Sequence, residues 1–459
     1  MILLIPNLYG ITIFILLILF LMDIGSLLRG HILWRGLAVV ASFITTVVLS
    51  RYLEAAMTGW FFYVLAWLTF FVLIASMGMD IAITYTVSSG KFNGSSVFTA
   101  IILWVIFCIV VSGLTEWLMF SGLKKVSTGT FTLFIAGQLL ILFFSAYFFG
   151  EKKFILPSFI QVAGNLIFSL YCIFYFENIS RAAGESLSFI FFLYALVVFL
   201  QGFYLLCHFI FRHKKELRLE KPKNDQLKLL LSYSGLALLA NVIFFLYQRT
   251  DYWLIRYFGM GDAELGNYIQ ASRIAQMFQL LPGMFAAALF PILSSLKEKK
   301  ELLLLPLMRI TLQLNMILLL MLALAGHYFF PFLFGPSFGD MYTYFLYLIP
   351  GILSLTVLSL LSAFFASENL LYVNLCAAAI AMMLLLIGDV LFLKTIGFMT
   401  APIVNSISAF FALIFSFVLF KRRSGIQWSE ILKPKVKDYR FIKEMIIKSY
   451  GFIHKEKIQ

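Results

Sequence analysis

Seven ionisable side chains fall inside long apolar runs of this 459-residue chain: Arg35, Asp80, Glu116, Arg249, Asp251, Arg273 and Asp389. A charge held in hydrocarbon costs a few kcal/mol, so each is a candidate for ligand or ion handling. Arg273 is the sharpest. Gln270 and Gln276 lie three residues to either side of it, and Gly266 and Met277 complete one helical face. A guanidinium at that depth faces a wet cavity or an anion, or else closes a structural salt bridge. Arg35 lies near the end of its run and can meet an anion or snorkel to the interface. Arg249 and Asp251 close another run, where an interfacial ion pair is the simpler role. Asp80 follows Gly78 and suits either a coupling ion or a salt bridge between helices. Glu116 and Asp389 read as near-interface residues, with Asp389 in reach of Lys394. Amides recur beside them: Gln161 with Asn165 at i, i+4, and Asn241 ahead of Phe245 and Gln248. Such amides glue helices together or line a polar lumen.

The elements that must hold these residues are membrane helices. Hydrophobic residues make up 62% of the chain and charged residues 12%, about half the charged share of a soluble domain. A span needs roughly 20 apolar residues. Twelve candidates follow, near 33–50, 57–86, 96–119, 129–149, 154–176, 187–210, 229–248, 264–290, 304–330, 340–364, 370–393 and 399–420. The sequence predicts an all-α polytopic membrane protein, with Ile2–Met22 as an extra spanning or interfacial helix. No basic region precedes that segment and no small-residue cleavage site follows it.

The net charge of +13 is concentrated in 211–228, in 295–303 and in the tail after Phe420, while the alternate connections carry only scattered cations. That bias places these segments in the cytosol. It leaves no soluble basic face for a nucleic acid, so none is expected as a partner. The longest basic connection divides the spans into six and six. The halves share a phrase: Arg51-Tyr52-Leu53 then Gly59-Trp60-Phe61, and Arg256-Tyr257-Phe258 then Gly266-Asn267-Tyr268. Both copies fall on the same side, which implies two parallel six-helix repeats. The expected organisation is 1–27 as the extra helix, 28–210 as the N-lobe, 211–228 as a basic linker, 229–420 as the C-lobe and 421–459 as a basic tail. Trp428, Ile431 and later apolar residues of that tail suit an amphipathic helix on anionic lipid, or a solvated tail.

Catalytic constellations are missing from the sequence. The five histidines have no metal spacing, and there is no Walker loop or nucleophile elbow. The four cysteines, Cys108, Cys172, Cys207 and Cys376, fall in apolar runs and read as small core residues. Neither enzyme activity nor a cofactor is expected. A polymerase remains the enzyme alternative, and transport is favoured.

The phrases RGLAVVASFITTVVLSRYLEAAMTGWFF, SMGMDIAI, NVIFFLYQRTDYWLIRYFGMGDAELGNYIQASRIAQMFQLLPGMFAAALFPILS and FLFGPSFGD resemble the Wzx-type polysaccharide repeat-unit flippases. These belong to the multidrug/oligosaccharidyl-lipid/polysaccharide exporter superfamily, and the likeness covers about 28–422. It implies two six-helix lobes forming a V around a cationic cavity, with an entry portal between helices one and eight, where Arg35 and Arg273 stand. The implied cargo is an undecaprenyl-pyrophosphate-linked oligosaccharide, turned from the cytosolic to the outer leaflet of a bacterial inner membrane for O-antigen or capsule synthesis. Membrane lipids and polysaccharide polymerase machinery are the implied partners. A gradient of H+ or Na+ is the expected drive, as in an antiporter. The expected substrate residues are Arg273, Arg35, Gln270, Asn241, Gln161, Asn165 and Arg249, with Asp80 and Asp251 for the ion. A cation-coupled drug or metabolite exporter on the same scaffold is the alternative.

Overall fold

Long apolar runs without interior backbone breakers become helices, because hydrocarbon offers a peptide group no other hydrogen-bond partner. In a computed structural model, which describes residues 26–88, 94–119, 127–178, 185–214, 224–296 and 300–432, every regular element is helical. They are α1 (Ser26–Ser76), α2 (Met79–Ser88), α3 (Gly94–Met119), α4 (Thr128–Gly150), α5 (Ile155–Asn178), α6 (Glu185–Arg212), α7 (Asn224–Tyr257), α8 (Asp262–Met277), α9 (Leu280–Ser295), α10 (Glu301–Phe334), α11 (Met341–Ser367), α12 (Leu371–Ile396), α13 (Thr400–Ser424) and the short α14 (Trp428–Leu432), with a 3-10 turn at Pro336–Phe338. Among the described residues nine helices are long and apolar enough to cross a membrane. The second half of α1, together with α3 and α7, brings the chain to the twelve expected spans. The segment Ile2–Met22 and the tail beyond residue 432 lie outside the described residues.

Glu54, at φ 61 and ψ 175, separates the two spans inside α1, within the connection expected between 50 and 57. Two further interruptions went unforeseen. Met77 and Gly78, both at positive φ, part α1 from α2, and Phe278–Gln279 parts α8 from α9. Glu54 stands three residues after Arg51. Gly259, at φ 71, stands three residues after Arg256. The repeated phrase therefore precedes a residue of positive φ at the same offset in both copies.

Residues 30–245 form one compact unit and residues from Leu246 onward form another, so the division falls within α7 and not in 211–228. The first unit is built on α4 and α6. A Cβ added to Gly137 would lie 2.6 Å from the Phe199 backbone, and one added to Gly202 would lie 2.6 Å from the Gly137 carbonyl. Small residues thus let the two backbones touch, the usual device where lipid removes the hydrophobic drive between helices. Phe61, Phe134, Phe143, Phe144, Phe191 and Phe209 fill the space around this contact. Trp104 Nε1 donates to the Ala75 carbonyl at 2.8 Å, satisfying an acceptor beside the Met77–Gly78 break. Cys108 and Cys172 are core residues, as expected, whereas Cys207 and Cys376 are exposed. Apolar runs pack in lipid on only one side, so run membership alone does not decide burial.

In the second unit α13 packs against α11 and α12. Leu413, Phe417 and Phe420 of α13 join Leu360, Leu361 and Phe364 of α11 and Leu304 and Met308 of α10. At the end bearing the basic connections, Lys300 Nζ donates to Glu368 Oε1 at 2.5 Å, and Arg423 Nη2 to Glu368 Oε2 at 3.1 Å. Three connections far apart in sequence meet on one carboxylate. The Lys300 hydrogen bond, opposed by partial burial and aided by Arg423, holds Glu368 below the ordinary carboxylate range. The start of the tail docks instead of lying free: Trp428 stacks on Phe417 at 3.6 Å, and Arg309 Nε donates to the Glu430 carbonyl at 2.5 Å.

Candidate functional site: the polar interior of the second unit

Helices α7, α8, α11, α12 and α13 enclose a set of polar side chains in an otherwise apolar unit. Asp251, on α7, is fully buried and takes hydrogen bonds from the Tyr268 hydroxyl and, at 3.0 Å, from the Tyr252 backbone N–H. Asp389, on α12, is also fully buried, and neither of its carboxylate oxygens has a hydrogen-bond partner. The two carboxyls are close enough to interact electrostatically. Asp389 lies seven residues from the end of its helix, and the pairing with Lys394 suggested by the sequence is not made. Burying two carboxyls this near each other is costly if both are charged, because desolvating an unpaired ion costs far more than any one contact returns.

Two residues earlier on α7, Arg249 Nη1 donates to the Tyr252 hydroxyl at 2.6 Å and Nη2 to Gln276 Oε1 at 3.1 Å. The guanidinium also lies 5.1 Å from the Tyr252 ring centroid. These contacts give Arg249 partners other than the simple Arg249–Asp251 interfacial pair expected from the sequence. Arg273, on α8, is half-buried. Gln270 is fully buried, with neither amide atom paired. Neighbouring Asn267 binds the Ala263 and Ser337 carbonyls at 3.0 Å each and accepts from Met341 N–H at 2.9 Å, tying α8 to the start of α11.

Where α8 breaks, Asn315 Nδ2 donates to the Phe278 carbonyl at 3.2 Å and Gln279 Nε2 to the Ile352 carbonyl at 3.2 Å. A cleft of about 40 Å³ opens there, lined by Tyr247, Gln248, Ser272, Gln276, Gln279 and Asn405 with Leu348, Ile352 and Leu355.

The other expected residues lie in the first unit. Gln161 and Asn165 are half-buried on α5, and the Asn165 carbonyl accepts from Thr45 at 3.2 Å and Ser169 at 2.8 Å. Asn241 is exposed on α7. Asp80 is half-buried in the first turn of α2, where the helix dipole favours an acid whatever else it does. The side chains of Arg35 and Glu116 lie outside the described residues. Sequence reasoning passed over Asp389 as an ion residue, although its place inside an apolar run beside Gly388 was visible. It also passed over Arg309, buried at 3% exposure on α10.

The profile of the polysaccharide biosynthesis protein family matches residues 20–297. No curated protein matches the chain by sequence. Among solved structures, the lipid II flippase MurJ in its inward closed conformation is similar, with a TM-score of 0.69 at 12% identity, over 92% of this chain and 90% of that one. An inward-facing multidrug resistance MATE family transporter of the MOP superfamily gives 0.65 at 16% identity, over 84% and 94%. A MOP superfamily transporter from Pyrococcus furiosus gives 0.57 at 15% identity, over 86% and 94%. At these identities the likeness establishes the fold alone, shared with the lipid II flippase and the MATE transporter.

Proposed function

The chain belongs to the polysaccharide biosynthesis protein family, and from that premise we propose that it is a flippase for an undecaprenyl-pyrophosphate-linked oligosaccharide. It turns this lipid from the cytosolic to the outer leaflet of a bacterial inner membrane by alternating access, driven by H+ or Na+. The supporting observation is the polar interior of the second unit, where buried carboxylates and amides sit with half-buried arginines in a chain that is 62% hydrophobic. Buried polar groups in a membrane helix bundle are expensive unless they serve a passenger.

Arg273 and Arg249, with Arg35 on the first span, bind the pyrophosphate, for which a guanidinium fork is the natural partner. Gln270, Asn241, Gln161 and Asn165 are the accompanying polar contacts. Asp251 takes the coupling ion, with Asp389 added to it, and Asp80 senses the ion in the other repeat. The polyprenyl tail stays in lipid while the head crosses. Polysaccharide polymerase machinery then consumes the flipped unit.

Arg273→Ala at normal membrane abundance should abolish surface polysaccharide and leave lipid-linked intermediates in the cytosolic leaflet. Unchanged export would remove Arg273 from the mechanism. A cation-coupled drug or metabolite exporter is the second reading, favoured by the similarity of fold to a multidrug transporter. Efflux of cationic drugs with no change in surface glycan would establish it instead.

A further inference from the structure

We infer that the cleft at the α8–α9 interruption is a subsite for the hydroxyl groups of an uncharged sugar; this rests on the flippase function proposed above. The lining decides the chemistry. Gln248, Gln276, Gln279 and Asn405 bring four amides to one small space, with Ser272 and the ring of Tyr247, and no carboxylate or cation lines it. A metal ion would find no carboxylate in the lining, and Arg249 reaches it only through its bond to Gln276. An amide offers both donors and acceptors, and so does a hydroxyl, so the two match without any charge.

One group in the lining lacks its complement. Gln279 spends its Nε2 on the Ile352 carbonyl, while its Oε1 is buried without a hydrogen-bond partner. That acceptor calls for a neutral donor. Gln276 is fixed from both ends: Arg249 donates to its oxygen, and its Nε2 donates to Ser272 Oγ at 3.4 Å. The opposite wall is apolar, made by Leu348, Ile352 and Leu355. A pyranose has the same two-sidedness, hydroxyls on its edge and C–H groups on its face.

Size agrees with an edge and not a whole ring. At ~10–15 Å³ per water, a cleft of about 40 Å³ holds roughly three oxygens. Position agrees as well, since interrupted membrane helices mark substrate sites, where freed backbone groups and side chains can turn to a ligand.

The test compares two probes on purified protein in lipid nanodiscs: undecaprenyl pyrophosphate, and the same lipid carrying the oligosaccharide of the host cell. The natural protein should bind the glycosylated lipid about tenfold more tightly, which corresponds to ~1.4 kcal/mol. Gln248→Leu/Gln279→Leu should remove that preference while leaving affinity for the bare lipid unchanged. Gln248→Leu alone, which keeps the Gln279–Ile352 bond, should remove part of it and guards against misfolding of the double variant. A preference that survives both variants, or an equal loss for both probes, would overturn the subsite and leave the flippase standing; water alone would then fill the cleft. A natural protein that binds neither probe would overturn the flippase itself, and the subsite with it.

Discussion

Asp389→Asn should make the protein more stable and less useful. The carboxyl is fully buried with both oxygens unpaired, and an unsatisfied buried polar group costs about 1–3 kcal/mol, more when charged. A proton or cation that binds only the folded state offsets this by RT ln(1 + [L]/Kd), about 2.7 kcal/mol at a hundredfold excess over Kd. For a unit of this size, roughly 2–4 °C accompany each kcal/mol, so occupancy of the Asp251–Asp389 pocket should raise the melting temperature by about 5–10 °C. Thermal unfolding followed by tryptophan fluorescence, across a sodium titration and from alkaline to mildly acidic buffer, reads this directly. If the proton is the ligand, melting rises as pH falls; if sodium, it rises with sodium at fixed pH. Asp389→Asn should flatten either response, melt higher than the natural protein in ligand-free buffer, and uncouple export from the gradient. A natural protein indifferent to both ions, or a variant that responds as strongly, would refute the shared-ion account of this pocket.

Glu54→Gly should stabilise the protein by about 1–3 kcal/mol, because φ 61 with ψ 175 is a region open essentially to glycine alone; a lower denaturation midpoint would contradict that strain. Gly137→Ala should destabilise by about 1–3 kcal/mol through overpacking against Phe199. Gly129→Ala, with open space around its Cβ, should be near neutral, and detergent-solubilised yield and melting separate the two. Glu368→Gln should cost about 1 kcal/mol near neutrality, since the carboxylate is only partly exposed and meets a largely buried Lys300. Its folded value is depressed, so its contribution is present above the unfolded value of about 4.3 and is lost as pH falls through the folded value. The melting difference between the natural protein and Glu368→Gln should therefore vanish in acid.

The spans were legible because hydropathy and helix length are set by the same bilayer thickness. Predicted 129–149 became Thr128–Gly150, and predicted 399–420 became Thr400–Ser424. What hydropathy cannot register is a single residue's φ, so the breaks at Met77–Gly78 and Phe278–Gln279 were invisible inside continuous apolar text, while the one at Glu54 fell between two predicted spans. The repeated Arg-Tyr phrase did mark the reversals at Glu54 and Gly259, through offset and not through composition. Within the polar interior, Gln276 and Arg249 were visible as polar interruptions, but their contact spans two helices and no spacing rule links them. Asp389 was misjudged for a related reason. Distance from a helix end measures depth along the membrane, whereas burial depends on which helices pack over the site.

The three-way meeting at Glu368 has a consequence for how the chain is made. Lys300 and Glu368 leave the ribosome well before Arg423, and the last span, α13, carries Leu413, Phe417 and Phe420, which the core of the second unit needs. The nascent α12 also carries Asp389 into the translocon, and an acid at a helix centre costs about 2.5–3.5 kcal/mol there, offset by the leucines and isoleucines around it. Until α13 arrives the unit lacks Leu413, Phe417 and Phe420 and is open on that side. A nascent chain stalled there would offer membrane proteases a distinctive target, so delivery of the final helix is the step on which survival of the protein turns.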